Sequence, residues 1–397
     1  MRQKKLMLLG GIRYLLPVIE AAHEQGYYVI TADYLPDNIA HRYSDEYVNV
    51  SIIDKEAVLK VAREKEIDGI LSFGVDPGVV SASYVQTQMG IPSFGPFESV
   101  EILQNKDKFR TFLSENGFNV PWAFGFSSLE DALADTDKFS YPLIVKPTDS
   151  AGSKGVTRVD KEEDLKEALE YAFKHSIKGN IIVEEFIEKQ GCSSDSDSFS
   201  VNGVLQFVSF SAQRFDENAA GTFVPAAFSW PSTMNMQQED ELQRLLTLLH
   251  MKTAVYNIET RVGVNGKTYI MEVSPRGGGN RLSEMVRYST GVDMITAGVR
   301  AAVGDSVDGI EQKPYMGHWA EIILHSDKDG LFESLYISKS MRSYVIEEDL
   351  WVMKGDAVHF FEGANNAIGT LIMKFNSQEQ LKEALEKQGE WLHISVD

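Results

Sequence analysis

The chain has a single cysteine, Cys192, in 397 residues. No intrachain disulfide framework can form, and with no cysteine or histidine cluster a structural zinc site is not expected. Positive charge is scarce: 38 lysines and arginines stand against 58 aspartates and glutamates, a formal net charge of −20. That balance argues against nucleic acid or an anionic membrane as the main partner, yet leaves room for a local phosphate site. No apolar stretch is long enough to span a bilayer. The opening MRQKKLMLLGG has a basic end and a short apolar run, but charged, helix-patterned sequence follows with no small-residue cleavage site, so it reads as a first strand. Both G-x-G-x-x-G and the Walker A spacing are missing. What remains is a globular chain, 43% hydrophobic, of two or three domains, with a reducing cytoplasm as its expected setting.

The first hundred residues alternate strand and helix patterns: Leu6–Leu9, a helix through Tyr14–Gln25, Tyr28–Ala32, a helix near Lys55–Lys65, and Gly69–Phe73. This order predicts a parallel, doubly wound α/β sheet. Gly10-Gly11 after the first strand and Asp33 after the second imitate a dinucleotide unit, though a tight turn explains the glycines equally. Phe73 to Asp76 closes a strand where open α/β sheets bind ligands, and is either a substrate contact or a plain turn.

Residues 255–276, VYNIETRVGVNGKTYIMEVSPR, carry the strongest local signal. Asn265-Gly266 marks a hairpin with two positive-φ residues. Pairing outward sets Val264 opposite Lys267, Val262 opposite Tyr269, Thr260 opposite Met271, and Glu259 opposite Glu272. Facing like charges repel, so the pair asks for a cation between them. With Asn257 and Ser274 beyond, the face is rich in oxygen and suits Mg²⁺ bound together with phosphates. The plain alternative is a solvated face with Arg261 neutralising one acid.

Other pieces concern phosphate. The strand Leu143–Val145 ends in Lys146, placed to reach an anion. The loop Asp149 to Val156, with Gly152, Ser153, Lys154 and Gly155, offers backbone N–H groups and a lysine to phosphate oxygens, or is a flexible hairpin tip. The strand Asn180–Ile187 carries Glu184 and Glu185. It could present the Glu185 carbonyl and the Ile187 amide to an adenine edge between Val183 and Phe186, or simply end in solvated acids. GCSSDSDSFSVNG follows as a polar, acidic stretch. Residues 213–236 read as a long connection in which Phe223, Phe228 and Trp230 either wall a pocket or fill core. After Gly277-Gly278-Gly279-Asn280, Arg281 is placed to hold a substrate carboxylate in bidentate fashion, or is a surface cation.

Taken in order, Asn105-Lys106 with Arg110 and Gly117, the strand-Lys146-Pro147 piece with its glycine loop, Val183 to Ile187, and Glu259 with Glu272-Val273-Ser274-Pro275-Arg276 resemble the ATP-grasp superfamily. The similarity is closest to its carboxylate-amine ligases, near biotin carboxylase and the carbamoyl phosphate synthetase large subunit. The resemblance implies an α/β architecture of three parts: a Rossmann-like domain over 1–98, an ATP-grasp domain over 99–304 with a mobile lid at about 121–187, and a small α+β closing domain over 305–397. It assigns Lys106 and Lys146 to ATP phosphates, Gly152 to Gly155 to a flap, and Glu184 to Ile187 to the nucleotide pocket. Glu259, Glu272 and Ser274 become ligands of Mg²⁺, or Mn²⁺ in its place. Arg276 meets the transferred phosphoryl group. The family usually has asparagine where Ser274 stands, and Asp195 and Asp197 are candidates for holding the ribose.

The implied activity is ATP-dependent joining of a small-molecule carboxylate to an amine through an acyl phosphate, with a homodimer left open. A bicarbonate-activating enzyme of the same fold, and a nucleotide-binding regulator or NAD(P)-dependent oxidoreductase, are the alternatives.

Overall fold

In the computed structural model, residues 2–150, 154–219, 223–232 and 238–397 are described. The chain opens with the strand Lys5–Leu9, whose Leu6, Met7, Leu8 and Leu9 are all wholly buried, as an inner strand of a parallel sheet covered on both faces must be. Tyr28–Asp33 and Gly69–Ser72 flank it, and Glu46–Asn49 adds an outer parallel strand. That fourth strand escapes the sequence reading because its EYVN is short, polar and only half-buried. The helices Leu16–Glu24 and Lys55–Lys65 alternate with the strands as expected, and Val79–Met89 adds a third.

A separate antiparallel sheet follows, ordered Ala123–Phe126, Ile181–Glu185, Leu143–Pro147 and Thr157–Val159. Leu129–Ala134 and Leu165–His175 lie with it. It has its own core of Leu143, Val145, Val159, Leu169, Ile181 and Val183. The helix Lys106–Glu115 precedes it, started by the Asn105 side chain accepting from the Lys108 amide.

The central sheet runs Val204–Phe207, Ser194–Val201, Ala254–Val262, Thr268–Ser274, all antiparallel. Ser194–Val201 therefore corrects the reading of a polar stretch. Ser194, Ser196, Ser198 and Ser200 are wholly buried on one face. Their hydroxyls are satisfied there: Ser196 donates to Ser209 at 2.7 Å, Ser194 accepts from the Ser211 amide, and Ser200 meets the Tyr256 hydroxyl at 2.9 Å. Hydropathy alone cannot see a strand whose inner face is hydroxyl.

The hairpin register also differs near its tip. Glu259 faces Glu272, but Thr260 faces Ile270 and Val262 faces Thr268, so Met271 is an extra residue in a bulge. Only Gly266 of the Asn265-Gly266 pair has positive φ, and its amide bonds the Gly263 carbonyl at 2.9 Å. The turn is thus longer than two residues, and the added residue is absorbed at Met271.

Residues 213–236, expected as connection, contribute Ala212–Phe215 and Pro225–Trp230 to a five-stranded sheet with His318–His325, Ala367–Phe375 and Val345–Leu350. Phe228 and Trp230 are fully buried, core rather than pocket wall. Among the described residues no helix is long and apolar enough to cross a membrane.

The first sheet meets the central one at Gly277. The Gly74 amide donates to the Gly277 carbonyl at 2.9 Å, and a methyl group on Gly277 would stand 2.0 Å from Phe73 Cζ. Gly277→Ala should lower stability by about 1–3 kcal/mol through this clash. A chemical denaturation midpoint equal to that of the parent chain would refute the packing described.

Candidate active site

Three neighbouring strands set Asp195, Glu259 and Glu272 directly opposite one another. The next row on the same face is Asp197, Asn257 and Ser274. Adjacent carboxylates cost stability unless compensated, and each has a counterpart. Asn257 Nδ2 donates to Asp195 Oδ1 at 2.7 Å and to Asp197 Oδ1 at 3.3 Å. Arg261 Nη2 lies 3.9 Å from Glu259, and Lys106 Nζ lies 3.9 Å from Glu272. Asp197 accepts from the Gly278 amide at 2.9 Å and from the Ser283 hydroxyl.

Compensation is incomplete. Burial, with Glu259 beside it, pushes Asp195 up to about 8. Burial pushes Asp197 up to about 6 against the pull of Ser283 and Arg276, and Glu259 is also raised by burial, opposed by Arg261 and reinforced by Glu272. Acids held this way favour an incoming cation, which removes the repulsion and the protons together. Among the described residues no three His, Cys, Asp or Glu side chains form a metal site by themselves. A divalent ion on Glu259 and Glu272 would need further oxygen ligands, and phosphate oxygens supply them.

Beside this row stands a network of cations. Lys146 pairs with Glu184, which is 2% exposed and also accepts from Arg110 Nε at 3.1 Å. Burial opposes the Glu184 charge, but Lys146 and Arg110 outweigh it and bring the group down to about 2. Arg110 Nη1 also donates at 2.9 Å to the carbonyl of Met271, the bulged residue. The helix, the hairpin and the strand Ile181–Glu185 are thereby tied together. Glu184 is thus turned inward to position Lys146. Glu185 is half-buried, Ile187 is buried, and the Arg158 guanidinium lies 4.2 Å above the Phe186 ring.

Several expected residues are already engaged. The Ser274 hydroxyl donates to Asp76 at 3.0 Å and accepts from Gln104 at 2.8 Å, which occupies the oxygen expected at a metal. Arg276 is bidentate to Asp76 at 2.7 and 2.6 Å. Against the effect of burial, that pairing keeps Asp76 below its usual range. Arg281, expected to be open to a substrate carboxylate, holds Glu284 and Glu347 at 2.8 Å each and Thr370 at 3.3 Å. Its partner Glu347 comes from the C-terminal sheet, where no sequence motif marks it. Asn280 and Arg281 both take left-handed backbone, φ 50° and 57°, a strained choice for non-glycine residues. Lys106 Nζ reaches the Ser150 carbonyl at 3.4 Å. Lys154 is exposed and Gly155 has φ 74°, while Gly152 and Ser153 of the expected flap lie outside the described residues. Asp76 and Glu184 were visible in the sequence as residue types, but their partners are remote in the chain.

A cross-strand acid pair beside a half-buried lysine and a separate antiparallel sheet agree with the class that the domain match gives: residues 139–284 match the ATP-grasp domain family, and the chain carries such a domain. Its curated relatives include the carbamoyl phosphate synthase large chain, C-terminal section, of Aquifex aeolicus (strain VF5), 24% identical over 77% of this chain, and the full large chain of Ralstonia nicotianae (strain ATCC BAA-1114 / GMI1000), 22% identical. The chain spans 59% and 30% of the lengths of these two. Among solved structures, an L-amino acid ligase from Bacillus licheniformis aligns over the whole of both chains, with TM-score 0.83 and 22% identity.

Asp195 titrates in the folded chain near 8 rather than near 3.8. A raised acid favours folding below its ordinary value and loses that contribution as pH rises to the folded value. Asp195→Asn should therefore raise the Tm of the nucleotide-free, metal-free chain, with a gain that grows between pH 3.8 and 8. A pH-independent difference in Tm would contradict the burial assigned to this carboxylate.

Proposed function

We propose that this protein is an ATP-dependent carboxylate-amine ligase, and the observation that carries the reading is the Glu259–Glu272 pair faced by Lys106 and Lys146. Lys106 and Lys146 bind the triphosphate, with Lys146 held in place by Glu184. Lys154 and Gly155, with Gly152 and Ser153, cover it. The Ile187 amide and the Glu185 carbonyl take the adenine edge. Glu259 and Glu272 hold Mg²⁺, which when bound neutralises phosphate charge and aligns the reacting oxygens.

The γ-phosphoryl passes to a substrate carboxylate. The protein's part is positioning and charge stabilisation by Lys106, Lys146 and Arg276. Arg276 is kept aimed by its bidentate contact with Asp76, so the N-terminal part of the chain orients a group of the phosphoryl site. The acyl phosphate is open to hydrolysis, and the antiparallel sheet over residues 123–185 is the element that would exclude water. Attack by an amine forms the C–N bond and releases phosphate. The similarity to the L-amino acid ligase structure supports amino acids as the first compounds to try. The carbamoyl phosphate synthase relatives make bicarbonate the necessary competitor.

The test is ADP release from Mg-ATP by the purified chain, screened over pairs of L-amino acids and over bicarbonate alone. Stimulation by a carboxylate-amine pair is the expected result, and stimulation by bicarbonate alone would replace it with the carboxylating alternative. Glu272→Gln should reduce stimulated turnover by about 100-fold or more with its thermal midpoint retained; full turnover in that variant removes the metal role. Lys146→Ala should weaken ATP binding, and equal affinity by isothermal titration would take Lys146 out of the nucleotide site.

A further inference from the structure

Asp76, Gln104 and Ser274 come from three parts of the chain and meet beside the site. The Ser274 hydroxyl donates to Asp76 Oδ1 at 3.0 Å and accepts from Gln104 Nε2 at 2.8 Å. Ser274 is 1% exposed, so its hydroxyl is held toward the first sheet. Asp76 Oδ1 also takes Arg276 Nε at 2.7 Å, and Asp76 Oδ2 takes Arg276 Nη2 at 2.6 Å. Both oxygens of Asp76 are used, one of them twice. A bidentate pair fixes the two planar groups against each other, but the pair can still swing as a unit. Ser274 stops that motion from a third direction, and Gln104 holds Ser274. Gln104 stands two positions before Lys106, with Asn105 between them capping the helix that Lys106 opens, and Lys106 is close enough to favour the Asp76 charge. The network therefore has a phosphate lysine at one end and Arg276 at the other.

The row Asp197, Asn257 and Ser274, next to the acid pair, is closed by internal bonds. Asp197 accepts from the Gly278 amide at 2.9 and 3.0 Å and from the Ser283 hydroxyl. The Asn257 amide nitrogen is given to Asp195 and Asp197. A cation brought to this row would have to displace those bonds. Glu259 and Glu272 stand differently, with their cations Arg261 and Lys106 each 3.9 Å away, a spacing that leaves carboxylate oxygens open to an ion.

We infer that Ser274 is a positioning residue and not a metal ligand, that with Gln104 it locks Asp76 and so Arg276 in place relative to Lys106, and that the acid hairpin holds one divalent ion. The inference rests on the ligase reading, which sets Arg276 at the transferred phosphoryl group, and adds the residues that aim it and the number of ions. Phosphoryl transfer needs the attacking and leaving oxygens in line. Lys106 holds the donor and Arg276 meets the phosphoryl group at the acceptor, so a shift of one against the other spoils that line. A displacement of about 1 Å can cost about 100-fold in rate. Nucleotide affinity, set by the lysines and the strand Ile181–Glu185 with the residues after it, should not follow.

The test counts ions and separates kcat from KM. The full chain is titrated with Mn²⁺ in the presence of adenylyl imidodiphosphate, and free Mn²⁺ is read by electron paramagnetic resonance. One ion per chain is expected, bound equally well by Ser274→Ala. Two ions on the parent chain, or affinity weakened about tenfold or more in Ser274→Ala, overturns the metal assignment and leaves the ligase reading standing. With the substrate pair that stimulates ADP release most, Ser274→Ala and Gln104→Ala should each lower kcat by about tenfold or more, while the KM for ATP stays within about twofold. The double variant should lose no more than Ser274→Ala alone, since both residues act through one carboxylate. An unchanged kcat, losses that multiply, or a KM for ATP that rises instead overturns the positioning role and spares the ligase reading. No ADP release with any carboxylate-amine pair overturns the ligase reading and the positioning role together, and the ion count is read independently of both.

Discussion

A carboxylate as deeply buried as Glu184 stays ionised only between cations, and here it has two, Arg110 and Lys146. Arg110 comes from a helix, Lys146 and Glu184 from the antiparallel sheet, and Arg110 also holds the bulged Met271 carbonyl of the acid hairpin. Three separately packed elements are therefore fixed to one another by a single charge centre. Removing one partner of such a set leaves a buried charge uncompensated, which costs more than the intact set contributes. The position of Lys146 relative to Glu259 and Glu272 follows from this centre.

The same logic explains why the acid row is tolerated. Asp195, Glu259 and Glu272 are under-compensated, with Asp195 and Glu259 pushed toward their protonated forms. Stability is given up there in a way that favours a divalent ion and a polyanion arriving together. Arg276 and Asp76 form a second centre, joining the first sheet to the loop after the hairpin. Arg281 with Glu284 and Glu347 forms a third, joining that loop to the C-terminal sheet. Each of these three boundaries thus passes beside the site and is closed by an arginine paired with a carboxylate.

Much of this was legible from local pattern. The Asn265-Gly266 signal and the alternating runs around it put Glu259 opposite Glu272. The glycine run before Arg281 was recognisable by composition. The bulge at Met271 was not, because one extra residue in a ladder leaves no mark on hydropathy. Nor was Ser194–Val201, since its buried face is made of serine hydroxyls whose partners lie on other strands.

By itself the sequence determined the alternating strands and helices of the first sheet and the acid hairpin, together with the residue types able to meet phosphate and metal, since these depend on neighbours a few positions apart. Only the tertiary structure decided which of those residues are free. Ser274 and Arg281 look available in the chain, but Asp76, Gln104 and Glu347 reach them from 66 to 198 positions away. Glu321, silent as a motif, is left buried without a hydrogen-bond partner among the described residues. Hydrogen-bond and charge satisfaction is a property of space, and a side chain's role depends on what the fold brings to it.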